Sequence, residues 1–229
     1  PLPAVEPAGA RQIDMPGVFV PSMTGLSTEE PGYQAPKSKQ LLGMAKPGDV
    51  IRNLLLGANN SEPAWAALTK SIKDLFGYEL LPPDSSGADI VSEYRMKADG
   101  PAFDIASAGM GFQQVLMLLT FLNTRPASVL LLDEPDAHLH VILQDAIYNE
   151  LRRVAMRQKS QLVIATHSEV IINSVEPSEL YVMLSEPRPL ADKEEKARLI
   201  SSLRVLDNMD VMRAADAPGI VYTEDYTDL

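Results

Sequence analysis

Two consecutive acids, Asp133 and Glu134, close the apolar run Val129-Leu130-Leu131-Leu132, and Pro135 follows at once. Ionised carboxylates are costly to desolvate at the end of a buried strand unless a cation or a reacting group partners them. Such a pair can divide the work of phosphoryl hydrolysis. Asp133 would hold Mg²⁺ through its water shell, and Glu134 would orient or deprotonate the water attacking a γ-phosphate. The bland alternative makes both acids the start of a solvated loop. A second apt segment is Ser107-Ala108-Gly109-Met110-Gly111, a small-residue loop feeding a helical pattern. A helix start of this kind presents free backbone N–H groups to an anion, although the same composition also serves plain loops. The third is His167, in Ala165-Thr166-His167-Ser168 at the end of another apolar run. The pair His138-x-His140 lacks the further ligands zinc needs.

These residues need elements to hold them. Phe112, Val115, Leu116, Leu119 and Leu122 recur at helical spacing after the small-residue loop. Val129–Leu132 reads as a strand buried on both faces. Leu139, Leu143, Ile147, Leu151 and Val154 give the next helix, and Leu162–Ala165 a second buried strand. The three form a βαβ crossover, predicted parallel and right-handed. Upstream, Trp65, Leu68, Ile72 and Phe76 predict a helix with Ser61 at its N-cap and its end near Gly77. Residues 1–60 are rich in Pro, Gly and Met, which predicts irregular structure apart from two helical turns over Val50–Leu56. Downstream lie an expected strand at Leu180–Leu184, a charged helical stretch from Asp192 to Leu206 and a last apolar run at Gly219–Thr223.

Bulk properties bound the function. The 229 residues and 45% apolar content suffice for a sizeable α/β domain. The absence of cysteine excludes disulfides and thiolate metal sites and fits a cytoplasmic protein. A formal charge of −11 makes the segment a poor nucleic-acid surface, so any DNA contact is expected through other regions of the parent protein. The longest mainly apolar stretch, Val115–Leu122, is too short to span a membrane. Starting at Pro1 and stopping at Leu229, the chain reads as a piece of a longer protein.

The segment Val129-Leu-Leu-Leu-Asp133-Glu134-Pro135-Asp136-Ala-His138-Leu-His140 resembles the Walker B motif and D-loop of ABC-type ATPases, especially the branch of recombination and chromosome-structure ATPases. Ser107-Ala-Gly109-Met-Gly111-Phe-Gln113-Gln114 resembles a variant of that family's signature motif, departing from it at Ala108 and Met110. His167 stands where the family's switch histidine ends the next strand. The resemblance implies a P-loop NTPase-like (ABC-type) α/β fold, here its C-terminal lobe with parallel strands flanked by helices. It implies ATP and Mg²⁺ as cofactors, with Asp133 on the metal, Glu134 and His167 catalytic, and Ser107, Gly109, Gly111 and Asp136 at the nucleotide. It also implies a homodimer that sandwiches ATP, each signature loop reaching the nucleotide of the other copy. No G-x-x-x-x-G-K-[ST] segment occurs, so the Walker A cradle is missing and the chain alone should bind ATP poorly.

The order of motifs, followed by Gly219-Ile-Val-Tyr-Thr-Glu224-Asp-Tyr-Thr-Asp228, resembles OLD-family proteins, which join an ABC-type ATPase to a Toprim nuclease and are associated with phage and DNA defence. The resemblance implies metal-holding roles for Glu224 and Asp228, with Asp225 standing where the family usually has glycine. The expected layout is an irregular segment of the ATPase domain over 1–60, the ATPase lobe over 61–215, and the first strand of a Toprim domain over 216–229. Two other readings stay open: a non-hydrolysing dimerisation or sensing module, and an ATPase of the recombination branch without a nuclease.

Overall fold

Strand formation follows the apolar runs. In the computed structural model, which describes residues 17–21, 25–183 and 187–203, Val129–Asp133 is the central strand of a three-stranded parallel sheet. Numbered along the chain, the sheet comprises β1 (Gly17–Val20), β5 (Val129–Asp133) and β6 (Gln161–Ala165), in the order β1-β5-β6. The expected parallel βαβ unit is present, with α5 (Val141–Arg157) joining β5 to β6. Strand β1 corrects the reading of the Pro/Gly-rich start as irregular. Its Val18 and Val20 alternate inward and pair with Leu130 and Leu132, so period-2 burial overrides the surrounding turn residues.

The predicted double-sided burial of β5 is also corrected. Leu130 and Leu132 are buried, but Leu131 is 42% exposed. Its in-register neighbours Phe19 and Val163 are 43% and 55% exposed, forming an apolar row across one face of the sheet.

Val18, Val20, Leu130 and Leu132 of the covered face belong to one hydrophobic core with α4 (Met110–Thr124), in which every residue from Phe112 to Asn123 is buried. The helical spacing marked one stripe of this helix, yet the structure encloses it on all sides, as befits a central helix. Around it pack α2 (Ile51–Asn59), α3 (Glu62–Phe76) and α5, and α1 (Ala35–Gly43) lies by β1. Polar side chains inside α4 bond their own backbone: Thr120 Oγ1 donates to Leu116 O at 2.6 Å and Asn123 Nδ2 to Leu119 O at 2.8 Å. Helix α3 starts after Ser61 and ends on Gly77 in the left-handed region at φ 72°, where glycine carries no Cβ penalty.

A small antiparallel sheet, β2 (Glu79–Leu80), β3 (Glu93–Arg95) and β4 (Ala102–Asp104), leads into the start of α4. Tyr78, Tyr94 and Phe103 join Phe76 and Phe112 in one aromatic cluster, with Tyr94 and Phe112 rings 5.1 Å apart.

The chain divides into two compact units at Thr166/His167. The second unit contains α6 (Glu169–Asn173), a hairpin of β7 (Tyr181–Val182) with β8 (Arg188–Pro189), and a helix over 193–203. The strand expected over Leu180–Leu184 is thus a two-residue piece in a separate antiparallel ladder. The apolar run at Gly219–Thr223 lies outside the described residues. Among the described residues no helix is long and apolar enough to cross a membrane.

Candidate functional site

The acids sit where a parallel strand runs out. Asp133 closes β5 opposite Ala165 of β6, and Glu134 then turns the chain with φ 44°, a conformation that residues with a Cβ seldom adopt. Hydrogen bonds from both sides of the turn hold it there. The Glu134 N–H donates to Ala165 O at 2.8 Å, and its carbonyl accepts from Ala137 N–H at 3.1 Å and from Gln114 Nε2 at 3.4 Å. Ala45, Ala127 and Lys159 share this left-handed backbone, so what sets Glu134 apart is its place at the end of a parallel strand, bonded to the helix that follows the small-residue loop. Asp136, by contrast, is 5% exposed and its Oδ1 accepts from Thr166 Oγ1 at 2.7 Å, so it braces the turn against the end of β6.

The small-residue loop lies beside this turn. Asp104 opens a 3-10 turn over Ile105–Ser107 by accepting from Ala106 N–H at 2.8 Å. Ser107 is exposed, and its hydroxyl donates to Asp104 O at 2.6 Å. Gln113 reaches back from α4 to the carbonyls of Ala106 (3.0 Å) and Ala108 (2.7 Å), fastening the loop to the helix it feeds. Gly109 is the N-cap of α4, with open space where a Cβ would be. Gly111 is different: a Cβ there would lie 2.8 Å from His138 O and 3.0 Å from Leu139 Cδ2. Close backbone approach at Gly111 and the Gln114–Glu134 bond therefore join Ser107–Gly111 to Asp133–Asp136 within one unit.

His167 is exposed and opens the second unit, directly after Thr166. Next to it, Ser168 caps α6 by accepting from Ile171 N–H at 3.3 Å. Glu224 and Asp228 lie outside the described residues. His140 caps α5, its Nδ1 accepting from Ile142 N–H at 3.4 Å. Among the described residues no group of three or more His, Cys, Asp or Glu side chains could hold a metal ion. Asp133 could therefore meet Mg²⁺ only in company with water and phosphate oxygens, the manner in which Mg²⁺ is usually held.

Sequence reasoning missed the polar brace behind the loop. Arg52, 1% exposed on α2, grips Asp104 with both terminal nitrogens at 2.9 and 2.8 Å and also donates to Ser27 O at 3.2 Å. Glu30, fully buried, accepts from the N–H groups of Arg52 and Asn53 and from Asn53 Nδ2. Burial raises the Glu30 carboxyl above its ordinary value, partly offset by those hydrogen bonds and the nearby Arg52 charge. The only local signal was one arginine inside the apolar run Val50–Leu56; the partners, 22 and 52 residues away, leave no pattern in sequence.

The solved structures similar to this chain are distant. An SMC ATPase described for ATP-driven dimerization and DNA-stimulated activation shares 17% identity over 64% of this chain and 97% of its own, with a TM-score of 0.44. An Smc head domain with a coiled coil and joint from Pyrococcus yayanosii shares 16% over 72% of this chain and 32% of its own, at 0.47. An ATP-binding cassette of an ABC transporter in its ADP conformation shares 16% over 83% and 66%, at 0.44. The chain thus spans about a third of the Pyrococcus structure's length and about two thirds of the cassette's. No curated protein matches it. The family described as "AAA domain, putative AbiEii toxin, Type IV TA system" matches residues 48–173, more than half of the chain and the whole of the loop and turn above, and the chain belongs to this AAA-domain family.

Proposed function

We propose that the chain supplies the hydrolytic and cross-reaching half of an ATPase site that is completed in a dimer. The observation that carries this reading is the strained Glu134 turn, locked to the Ser107–Gly111 loop by Gly111 and Gln114. Bound Mg²⁺ and ATP would supply the metal charge and the γ-phosphoryl group to be transferred to water. Asp133 orients the metal's water shell and Glu134 the attacking water, whose proton it accepts. His167 hydrogen-bonds the γ-phosphate or that water. Ser107 and the first amides of α4 face the nucleotide held by a second copy. Because the Ser107 hydroxyl now donates to Asp104 O, it must rotate to donate to a phosphate. The phosphate cradle comes from outside this sequence, which has no G-x-x-x-x-G-K-[ST] segment.

The bare apolar row Phe19, Leu131 and Val163 supports the same reading, since parallel sheets are ordinarily covered on both faces. The effector regulated by hydrolysis is, in our reading, an OLD-type Toprim nuclease acting on DNA and beginning at Glu224 and Asp228. Its support is the spacing of those acids after the apolar run Gly219–Thr223.

Glu134→Gln in the complete parent protein, assayed with Mg²⁺, should reduce ATP turnover at least ~100-fold while ATP still binds. Unchanged turnover removes Glu134 from catalysis and leaves a dimerisation or sensing module as the better description.

A further inference from the structure

The opposite end of β5 carries a second concave surface. Asp133 closes this strand and Glu134 follows it, whereas Arg125 and Pro126 precede it, and five strand residues at ~3.3 Å each put about 16 Å between the two ends. There a groove of about 700 Å³ opens between α2, α3 and the C-terminal ends of α4 and α5. That volume lies in the range of small-molecule sites. Its floor is apolar and small-featured, with Leu54, Gly57, Ala58, Ala64 and Ala67. Its polar groups are Arg125, Arg157, the amides of Asn53, Asn123 and Gln158, Thr124, and Ser61 at the start of α3, and no acid lines it.

The two guanidinium groups are the telling feature. Arg125 is half-buried, and its side chain has no hydrogen-bond or ion-pair partner among the described residues. Burial without a counter-charge lowers its pKa. Arg157, which is exposed, donates to the neutral Asn123 Oδ1 at 3.0 Å, and its charge also acts on the nearby Glu150 carboxylate, which is hydrogen-bonded by Arg153 and Ser71. Both arginines close helix C-termini, where a cation gains roughly 0.3–1 kcal/mol from the helix dipole. That gain and the Glu150 charge account for the exposed Arg157, but not for a half-buried Arg125 without a counter-charge on the same groove, in a chain of net charge −11. Guanidinium forks are suited to planar or tetrahedral oxyanions, which they bind in bidentate fashion.

We propose that this groove binds a small molecule with an oxyanion head, held by Arg125 and Arg157, and an apolar body lying on Leu54, Ala58, Ala64 and Ala67. The site is separate from the Glu134 turn and does not depend on its assignment. A phosphate monoester and a carboxylate share this chemistry, so three probes are titrated into the full chain by calorimetry and by amide NMR: adenosine monophosphate, inorganic phosphate and succinate. At least one should bind and shift the amides of residues 53–67 and 123–126. Its affinity should fall about tenfold in Arg125→Gln and again in Arg157→Gln, in line with loss of one charge-assisted bond each. Glu134→Gln, at the far end of the strand, should bind it as before. Urea unfolding of each variant confirms that the fold is kept. Tighter binding of the nucleotide than of phosphate identifies a nucleotide-type ligand, and preference for succinate identifies a carboxylate. Failure of all three to bind, or equal affinity in well-folded Arg125→Gln, overturns the proposal.

Discussion

Arg52–Asp104 and Arg188–Glu195 are both arginine–carboxylate pairs, with nitrogen–oxygen separations of 2.8 and 2.5 Å, and they do different things. Arg52 is 1% exposed, tied also to Ser27 O, and its carboxylate caps the turn that carries Ser107. Arg188 is 56% exposed, and its partner closes a local contact beside the β7–β8 hairpin. The shorter contact is therefore not the weightier one: the first pair is bidentate with its arginine buried, the second a single contact in solvent. A buried charge that loses its partner has no water to turn to, whereas an exposed one is resolvated at little cost. The first pair ties the start of the Ser107 turn to α2 across 52 residues of sequence; the second spans seven.

The contrast is broken or sharpened most strongly at Asp104. Asp104→Asn leaves the enclosed Arg52 guanidinium facing a neutral amide and weakens the cap on the 3-10 turn. The expected loss is about 3 kcal/mol, seen as a lower urea midpoint with an unchanged slope, because breaking a buried pair strands the remaining charge. A loss under about 1 kcal/mol would mean that the half-exposed Asp104 face lets water do the carboxylate's work.

The next effect separates two glycines that the motif treats alike. Gly111→Ala drives a methyl group to 2.8 Å from His138 O, a backbone atom that cannot yield without moving the Glu134 turn. The expected cost is roughly 1–3 kcal/mol, as for overpacking elsewhere. Gly109→Ala meets nothing within 4 Å and sits at φ −59°, ψ 146°, open to any residue, so only the poorer N-cap remains, a loss under about 1 kcal/mol. Equal melting temperatures for the two variants would dissolve the distinction between a packing glycine and an open one.

That distinction marks where sequence was informative. The strand Val129–Asp133, its parallel partner Gln161–Ala165, and the helices at 62–76 and 110–124 follow from apolar spacing and cap residues, which are local signals. The resemblance to two known motifs marked Ser107–Gly111 and Asp133–Asp136 separately, and their close placement within this chain is seen only in the structure, through Gly111 and Gln114. Strand Gly17–Val20 was hidden because four residues among prolines and glycines acquire strand character only by pairing with Val129–Leu132. The Glu30–Asn53 and Arg52–Asp104 contacts were hidden because hydrogen bonds between distant residues impose no period. The open row Phe19, Leu131 and Val163 was invisible for a related reason: an apolar run reads the same whether its outer face is covered or bare.

The smallest effect is expected at Glu195. Its carboxyl is held down to about 2, first by the Arg188 guanidinium and then by the Ala191 N–H. A folded-state pKa below the unfolded one contributes stability that is present above the ordinary value of 4.5 and lost as pH falls through about 2. Near neutral pH the contribution is fully in place, yet both groups are solvated and salt screens them. Glu195→Gln should therefore leave the unfolding midpoint unchanged at high salt and nearly so at low salt, while the Glu195 side-chain resonance in the native chain titrates near 2. Titration near 4.5 would show that the pair does not persist in solution. The contrast with Arg52–Asp104 would then be one of presence against absence, with burial deciding whether the pair forms as well as how much it matters.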